Sequence, residues 1–234
     1  MLELSSKTNH NGYYTEAAYL KRIKCIAISM HIYSRVYDTK ESKDLFDFLD
    51  KIEVEYHKKY TRYNKEFKVP RGQASFTYDE SIHYNYPAAG GSPPNYIMND
   101  KLRKITEKVN KILSTKFNTI LFNKYLNGDD CIGFHRDNQI GWAPGSGFAT
   151  LSFGVARDFQ IKCDATKVLT TILHEPGYVI YMPHPMNSTH KHSVPKRKSL
   201  HECRISLTFR EISTTPPVKT PPVVASRKKA KKTT

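Results

Sequence analysis

The chain has 234 residues, enough for one well-cored domain with extensions and short for two. Its hydrophobic share of 38% and aromatic share of 12% fit a globular protein and exclude a fibrous or wholly disordered one. With 37 Lys and Arg against 22 Asp and Glu, the formal net charge is +15, and such a charge favours a polyanionic partner because each phosphate neutralised releases counterions.

No apolar run approaches the roughly 20 residues of a membrane span. The longest, from Cys25 to Tyr33, is short and interrupted by His31. The first residues, Met1 to Asn11, are polar and lack the apolar core of a secretory signal. A monomer of the nucleus or cytoplasm with no membrane partner is therefore expected. Cys25, Cys131, Cys163 and Cys203 form no CxxC pair, so reduced thiols are expected rather than a disulfide framework or a zinc site.

Three parts follow along the chain. Residues 1–40 are a mixed leader with no readable fold. Residues 41–213 have the pattern of one compact domain. Residues 214–234 open with Pro216-Pro217 and Pro221-Pro222, then turn basic; a tail of this kind is predicted to be extended and disordered. It carries six basic residues and no acidic one, so +9 of the +15 lies on the rest. The run from Arg227 to Lys232 suits a nuclear localisation signal, a loose DNA contact or simple solubilisation.

Within the domain, helices are predicted first. Leu45, Phe46, Leu49 and Ile52 share one helical face over 42–57, with the Glu41/Ser42 region as cap. Leu102, Ile105, Val109 and Ile112 do so over 100–114, with Asn99 or Asp100 as N-cap. The period then changes to two. Segments 119–125, 150–153, 159–163, 168–173, 178–182 and 204–209 read as strands separated by Gly, Pro, Asp and Asn. Short strands at this density predict a β-sandwich or jelly roll with the helices buttressing one sheet.

Two segments carry chemistry. In Phe134-His135-Arg136-Asp137, a strand would turn His135 and Asp137 to the same side. A later histidine on a neighbouring strand would complete two histidines and a carboxylate, the facial set that leaves three positions open on non-haem Fe(II). His190 and His192 are in phase, so either could be that histidine. In Arg204-Ile205-Ser206-Leu207-Thr208-Phe209-Arg210, alternation puts both arginines on one face. Burying them is expensive without anions. A dicarboxylate would satisfy them in bidentate geometry, as would structural acidic partners, and an exposed edge strand would need neither.

These residues resemble the AlkB family of Fe(II)- and 2-oxoglutarate-dependent dioxygenases, in its DNA-repair branch of eukaryotes and viruses. The likeness runs in consistent order from Val69-Pro70-Arg71-Gly72-Gln73 through Tyr84-Asn85-Tyr86, Asn123-Lys124-Tyr125, Gly128 and Ile132 to Asp137. It continues through Ala143-Pro144-Gly145-Ser146, Ser152-Phe153-Gly154, Arg157-Asp158-Phe159, His192-Ser193-Val194-Pro195 and Arg204 to Arg210. The implied fold is α+β, mainly β: a double-stranded β-helix, or jelly roll, buttressed by N-terminal helices. The resemblance implies that His135, Asp137 and His192 ligate Fe(II), His192 being favoured because Ser-Val-Pro follows it. Asn123 and Tyr125 would bind one end of 2-oxoglutarate with Arg204, and Arg210 its other carboxylate. Tyr86 would stack on the target base, with Tyr84 nearby, and Arg71 and Gln73 would belong to a nucleotide-recognition lid over about 69–99. Ser206 stands where the family usually has Asn, and Gln139 where the repair branch often has an acid near the damaged base.

The implied function is O₂-dependent demethylation of 1-methyladenine and 3-methylcytosine in DNA, releasing formaldehyde, succinate and CO₂. The same chemistry on RNA, a catalytically silent nucleic-acid-binding module and a zinc-dependent hydrolase are the alternatives.

Overall fold

The computed structural model describes residues 33–56, 58–62, 64–82 and 92–214. The leader up to residue 32, Tyr84 and Tyr86, and the tail from residue 215 lie outside them.

The described chain begins with strand β1 (Tyr33–Arg35), which pairs antiparallel with β11 (Tyr178–Met182). The domain therefore extends into the stretch assigned above to the leader. Helix α1 (Thr39–Leu49) starts three residues before the expected Ser42. Asp38 and Glu41 form a capping box: the Glu41 N–H donates to Asp38 Oδ1 at 2.8 Å, and the Asp38 N–H donates to Glu41 Oε2 at 3.1 Å. The helix also ends sooner than expected. Ile52 still packs on the core from the turn, but Glu55 forms a bridge with Gln73. That bridging residue belongs to the Val54–Tyr56 stretch, whose side chains lie against Gly72 so closely that a Cβ there would meet Val54 Cγ2 at 2.5 Å. Helix α2 (Asp100–Leu113) matches its expected span, with Asn99 accepting from the Leu102 N–H and Ser114 closing the end in the left-handed region.

Two sheets carry the rest. The major sheet has seven strands in the order β1-β11-β8-β13-β6-β4-β5. Its further members are β4 (Gly72–Thr77), β5 (Asn95–Ile97), β6 (Thr119–Tyr125), β8 (Phe148–Gly154) and β13 (Arg204–Arg210). The minor sheet runs β10-β9-β12-β7, from β7 (Ile132–His135), β9 (Arg157–Cys163), β10 (Leu169–His174) and β12 (His190–Val194). A short helix α3 (His184–Thr189) leads into β12, and β2 (Lys59–Arg62) and β3 (Lys65–Lys68) form a separate hairpin. No helix among the described residues is long and apolar enough to cross a membrane.

Strand alternation divides the core. Ile205, Leu207 and Phe209 of β13, with Ile120 and Phe122 of β6 and Ala149, Leu151 and Phe153 of β8, face the helices and join Leu49, Leu102 and Ile105. Each fully buried Leu, Ile or Phe there stabilises by roughly 1.5–3 kcal/mol. The opposite face of the same strands looks toward the minor sheet, where a second cluster includes Leu121, Tyr125, Phe148, Phe159 and Ile161. That face also carries the polar positions of β13.

Candidate active site

Between the sheets lies a cavity of about 430 Å³, counting its open mouth. At one end stand His135, Asp137 and His192. Their ligand atoms lie within 4.8 Å of one another, the one such metal-capable group among the described residues.

Register builds this end. His192 on β12 sits directly opposite His135 on β7, with ring centroids 4.2 Å apart. His190 instead pairs with Cys163 on β9, and its Nδ1 lies 2.9 Å from Thr189 Oγ1, so it stays out of the cluster. The HxD segment is not wholly the strand expected above: β7 ends at His135, and Asp137 lies in the loop beyond. What turns Asp137 inward is Asn187 of α3, only 2% exposed. Asn187 Oδ1 accepts from the Asp137 N–H at 3.0 Å, and its Nδ2 donates to the Asp137 carbonyl at 2.8 Å.

The donor set suits a divalent ion. His135 Nδ1 lies 2.9 Å from the Gly133 carbonyl, an acceptor, so Nδ1 carries the hydrogen and Nε2 offers its lone pair. Both His135 Nε2 and His192 Nε2 approach Asp137 Oδ1, at 3.4 and 3.5 Å. Burial presses the His192 imidazole toward its neutral, ligating form, with Asp137 opposing. Phe148 and Phe159 pack on the His192 ring at 5.0 and 5.5 Å between centroids, an apolar wall on that side. Burial alone would raise the Asp137 carboxyl. The Arg210 guanidinium, with both histidines, instead holds it well below the usual carboxylate range. Arg210 Nε donates to Asp137 Oδ2 at 3.1 Å, and Nη2 donates to the same oxygen.

At the other end lies Arg204, 1% exposed. Its Nε donates to Ser152 Oγ at 2.9 Å, its Nη2 lies 3.2 Å from His174 Nδ1, and the Tyr125 ring is 5.2 Å from Cζ. Its Nη1 is buried with no hydrogen-bond partner. An orphaned donor on a buried cation, with no acid beside it, fits one carboxylate of 2-oxoglutarate. Burial lowers the Arg204 guanidinium to about 10, with Tyr125 opposing, so it remains charged at neutral pH.

Asn123, Tyr125 and Ser206 line the cavity between these ends, as do Thr150 and Thr208. Arg71 and Gln73, expected on a lid, are each 6% exposed and donate to Asn123 Oδ1, both at 2.9 Å. Gln139 lies by the metal loop, its Nε2 3.2 Å from His184 Nδ1. Sequence reasoning missed Asn187 and His174. Asn187 offered no signal, since it acts on backbone atoms. His174 closes a strand pattern as its one fully buried member, a hint visible only once the strand is placed.

The model of the 2OG-Fe(II) oxygenase superfamily matches residues 29–210. The human DNA oxidative demethylase ALKBH2 is 33% identical over 194 residues, covering 77% of this chain and 72% of the relative. The chain belongs to the AlkB family of these oxygenases. Its cofactor is accordingly Fe(II), with 2-oxoglutarate and O₂ as co-substrates, and the His135-Asp137-His192 group is the AlkB-type metal site. The RNA-directed RNA polymerase of Lolium latent virus is 35% identical over 79 residues, 34% of this chain and 4% of that protein. The solved structure of OsALKBH1 overlays with a TM-score of 0.53 at 16% identity, covering 77% of this chain and 97% of that one, a likeness of fold that accords with the jelly roll.

Proposed function

We propose that this AlkB-family enzyme demethylates N-alkylated bases, 1-methyladenine and 3-methylcytosine, in DNA, releasing formaldehyde, succinate and CO₂. The observation that carries this reading is a cavity with a His-Asp-His group at one end and a buried arginine without an acid at the other. The likeness to human ALKBH2 and the net charge of +15 support a nucleic acid as the partner.

Fe(II) held by His135, Asp137 and His192 supplies, with 2-oxoglutarate and O₂, the oxidising chemistry that hydroxylates an N-methyl carbon. The chain's own residues hold and shield. Arg204 and Tyr125 take one carboxylate of the co-substrate. Arg210, while bracing Asp137, gives its charge to the other, with Asn123 and Ser206 along the same wall. Phe148 and Phe159 keep water from the His192 side. A methylated base in a duplex must be flipped out to reach this depth, at low cost because its pairing is already lost. Tyr86 stacks on that base, Tyr84 supports it, and Gln139, Arg71 and Gln73 complete its surroundings. The enzyme works as a monomer in the nucleus or cytoplasm.

The test is mass spectrometry of demethylated product on matched methylated DNA and RNA oligomers. Turnover on DNA is expected. Turnover confined to RNA would favour the second reading, which the partial match to the Lolium latent virus polymerase supports. His135→Ala is expected to abolish succinate formation while largely sparing oligonucleotide binding in a gel-shift assay. Survival of activity in that variant would overturn the iron assignment.

A further inference from the structure

We infer that His174 is a positioning residue for the co-substrate: a neutral imidazole that takes one N–H of Arg204 and thereby aims the rest of the guanidinium at a carboxylate. The inference rests on the reading of Arg204 as the carboxylate-binding arginine.

His174 is the last residue of β10, on the edge of the minor sheet, yet it is fully buried. It reaches across to β13 at the centre of the major sheet. Its Nε2 lies 2.9 Å from the Tyr178 carbonyl. A carbonyl only accepts, so Nε2 carries the hydrogen. Nδ1 is then a lone pair, 3.2 Å from Arg204 Nη2, which only donates. The two partners thus select one tautomer of one protonation state. The ring's other neighbours are aromatic: Phe159 at 6.0 Å and Tyr33 at 6.3 Å between centroids, both edge to face. Burial and the Arg204 charge push the imidazole down to about 3, so it stays neutral at any working pH.

The effect falls on Arg204. Ser152 accepts from Nε and His174 from Nη2. With those two donors held by neutral acceptors, the guanidinium plane is set and Nη1 is left for the ligand. Neither acceptor is an acid, so neither neutralises the charge that a carboxylate needs. An aliphatic residue at 174 would orphan a second donor and free the plane to swing.

The experiment is calorimetric titration of 2-oxoglutarate into the Fe(II)-loaded enzyme without O₂, beside steady-state kinetics. His174→Leu is expected to weaken co-substrate binding about tenfold or more and to raise KM for 2-oxoglutarate in step. The value of kcat at saturating co-substrate should stay within about twofold, and Fe(II) affinity should not change. His174→Gln, which keeps an acceptor, should recover most of the binding. Unaltered 2-oxoglutarate affinity in His174→Leu overturns the inference, as does an equal loss of kcat and Fe(II) affinity, the mark of a merely structural role. Should His174→Leu not fold, Ser152→Ala removes the other acceptor of the same fork. It is expected to bind 2-oxoglutarate several-fold more weakly, and wild-type binding counts against the inference. Arg204→Gln separates the two readings. If it binds 2-oxoglutarate normally, the role of Arg204 itself is wrong; if it does not bind while His174→Leu does, only the role of His174 is wrong.

Discussion

Arg204 and Arg210 stand at the two ends of one face of β13, at 1% and 2% exposure, and meet different partners. Arg210 donates twice to Asp137, so its desolvation is offset inside the folded chain. Arg204 meets neutral groups, Ser152, His174 and the Tyr125 side chain, and keeps a buried donor unmatched. At the metal end the protein thus supplies Arg210 with an acid of its own before any co-substrate carboxylate reaches it. The co-substrate end is completed only when a dicarboxylate arrives. Equal burial of the same residue type therefore says little about role until the partners are known.

The strongest way to break this comparison is to remove the acid from one end and the cation from the other. Asp137→Ala should destabilise the metal-free protein by about 3–5 kcal/mol, because it takes away the carboxylate that compensates the buried Arg210 charge. Arg204→Met should stay within about 1 kcal/mol of wild type, since it removes a cation that no acid compensates. Urea denaturation of both variants measures this, and equal losses would erase the distinction. Next in size is Asn187→Ala, which frees the Asp137 peptide from its two hydrogen bonds. It should weaken metal affinity by about 10–100-fold, read by metal titration, with 2-oxoglutarate chemistry otherwise intact. A normal metal affinity would show that the loop holds its shape alone.

The smallest effect is a pH slope from His174. Its folded pKa, about 3, lies below the ordinary value of 6.5. Below pH 6.5 the unfolded chain takes up a proton that the folded chain refuses. Its contribution is therefore intact above pH 6.5 and declines as pH falls toward 3, by about 1.4 kcal/mol per pH unit once well below 6.5. Asp137 does not interfere between pH 6 and 5, because its loss begins only below the ordinary carboxylate value of 3.8. Denaturation at both pH values should show His174→Leu with a shallower slope than wild type, and an unchanged slope would mean that His174 titrates normally in the fold.

Much of the fold was legible along the chain. Helix α2 and strands β6 and β11 fall where periodicity and capping put them. Helix α1 was misplaced at both ends because Asp38, outside the apolar repeat, caps it, and because Ile52 keeps the repeat going in a turn. Strand β7 went unrecognised as a bounded element: its Gly133 and exposed Phe134 break the usual alternation. The site was legible as residue types but not as partners.

By itself the sequence determined that β13 has an apolar face and an arginine-bearing face, that His135 and Asp137 travel together, and that two later histidines share one phase. Alternation is a local property of the backbone, so it can be read from spacing alone. Phase alone left those histidines equal and only the family resemblance favoured His192; the tertiary structure supplies the physical reason, because register across β7 and β12 sets His192, not His190, opposite His135. It also decided which arginine would find an acid. Asp137 reaches Arg210 from a loop pinned by Asn187, and His174 reaches Arg204 from the edge of the other sheet. Both pairings join residues distant in sequence, and no local period encodes which neighbour a buried side chain will meet.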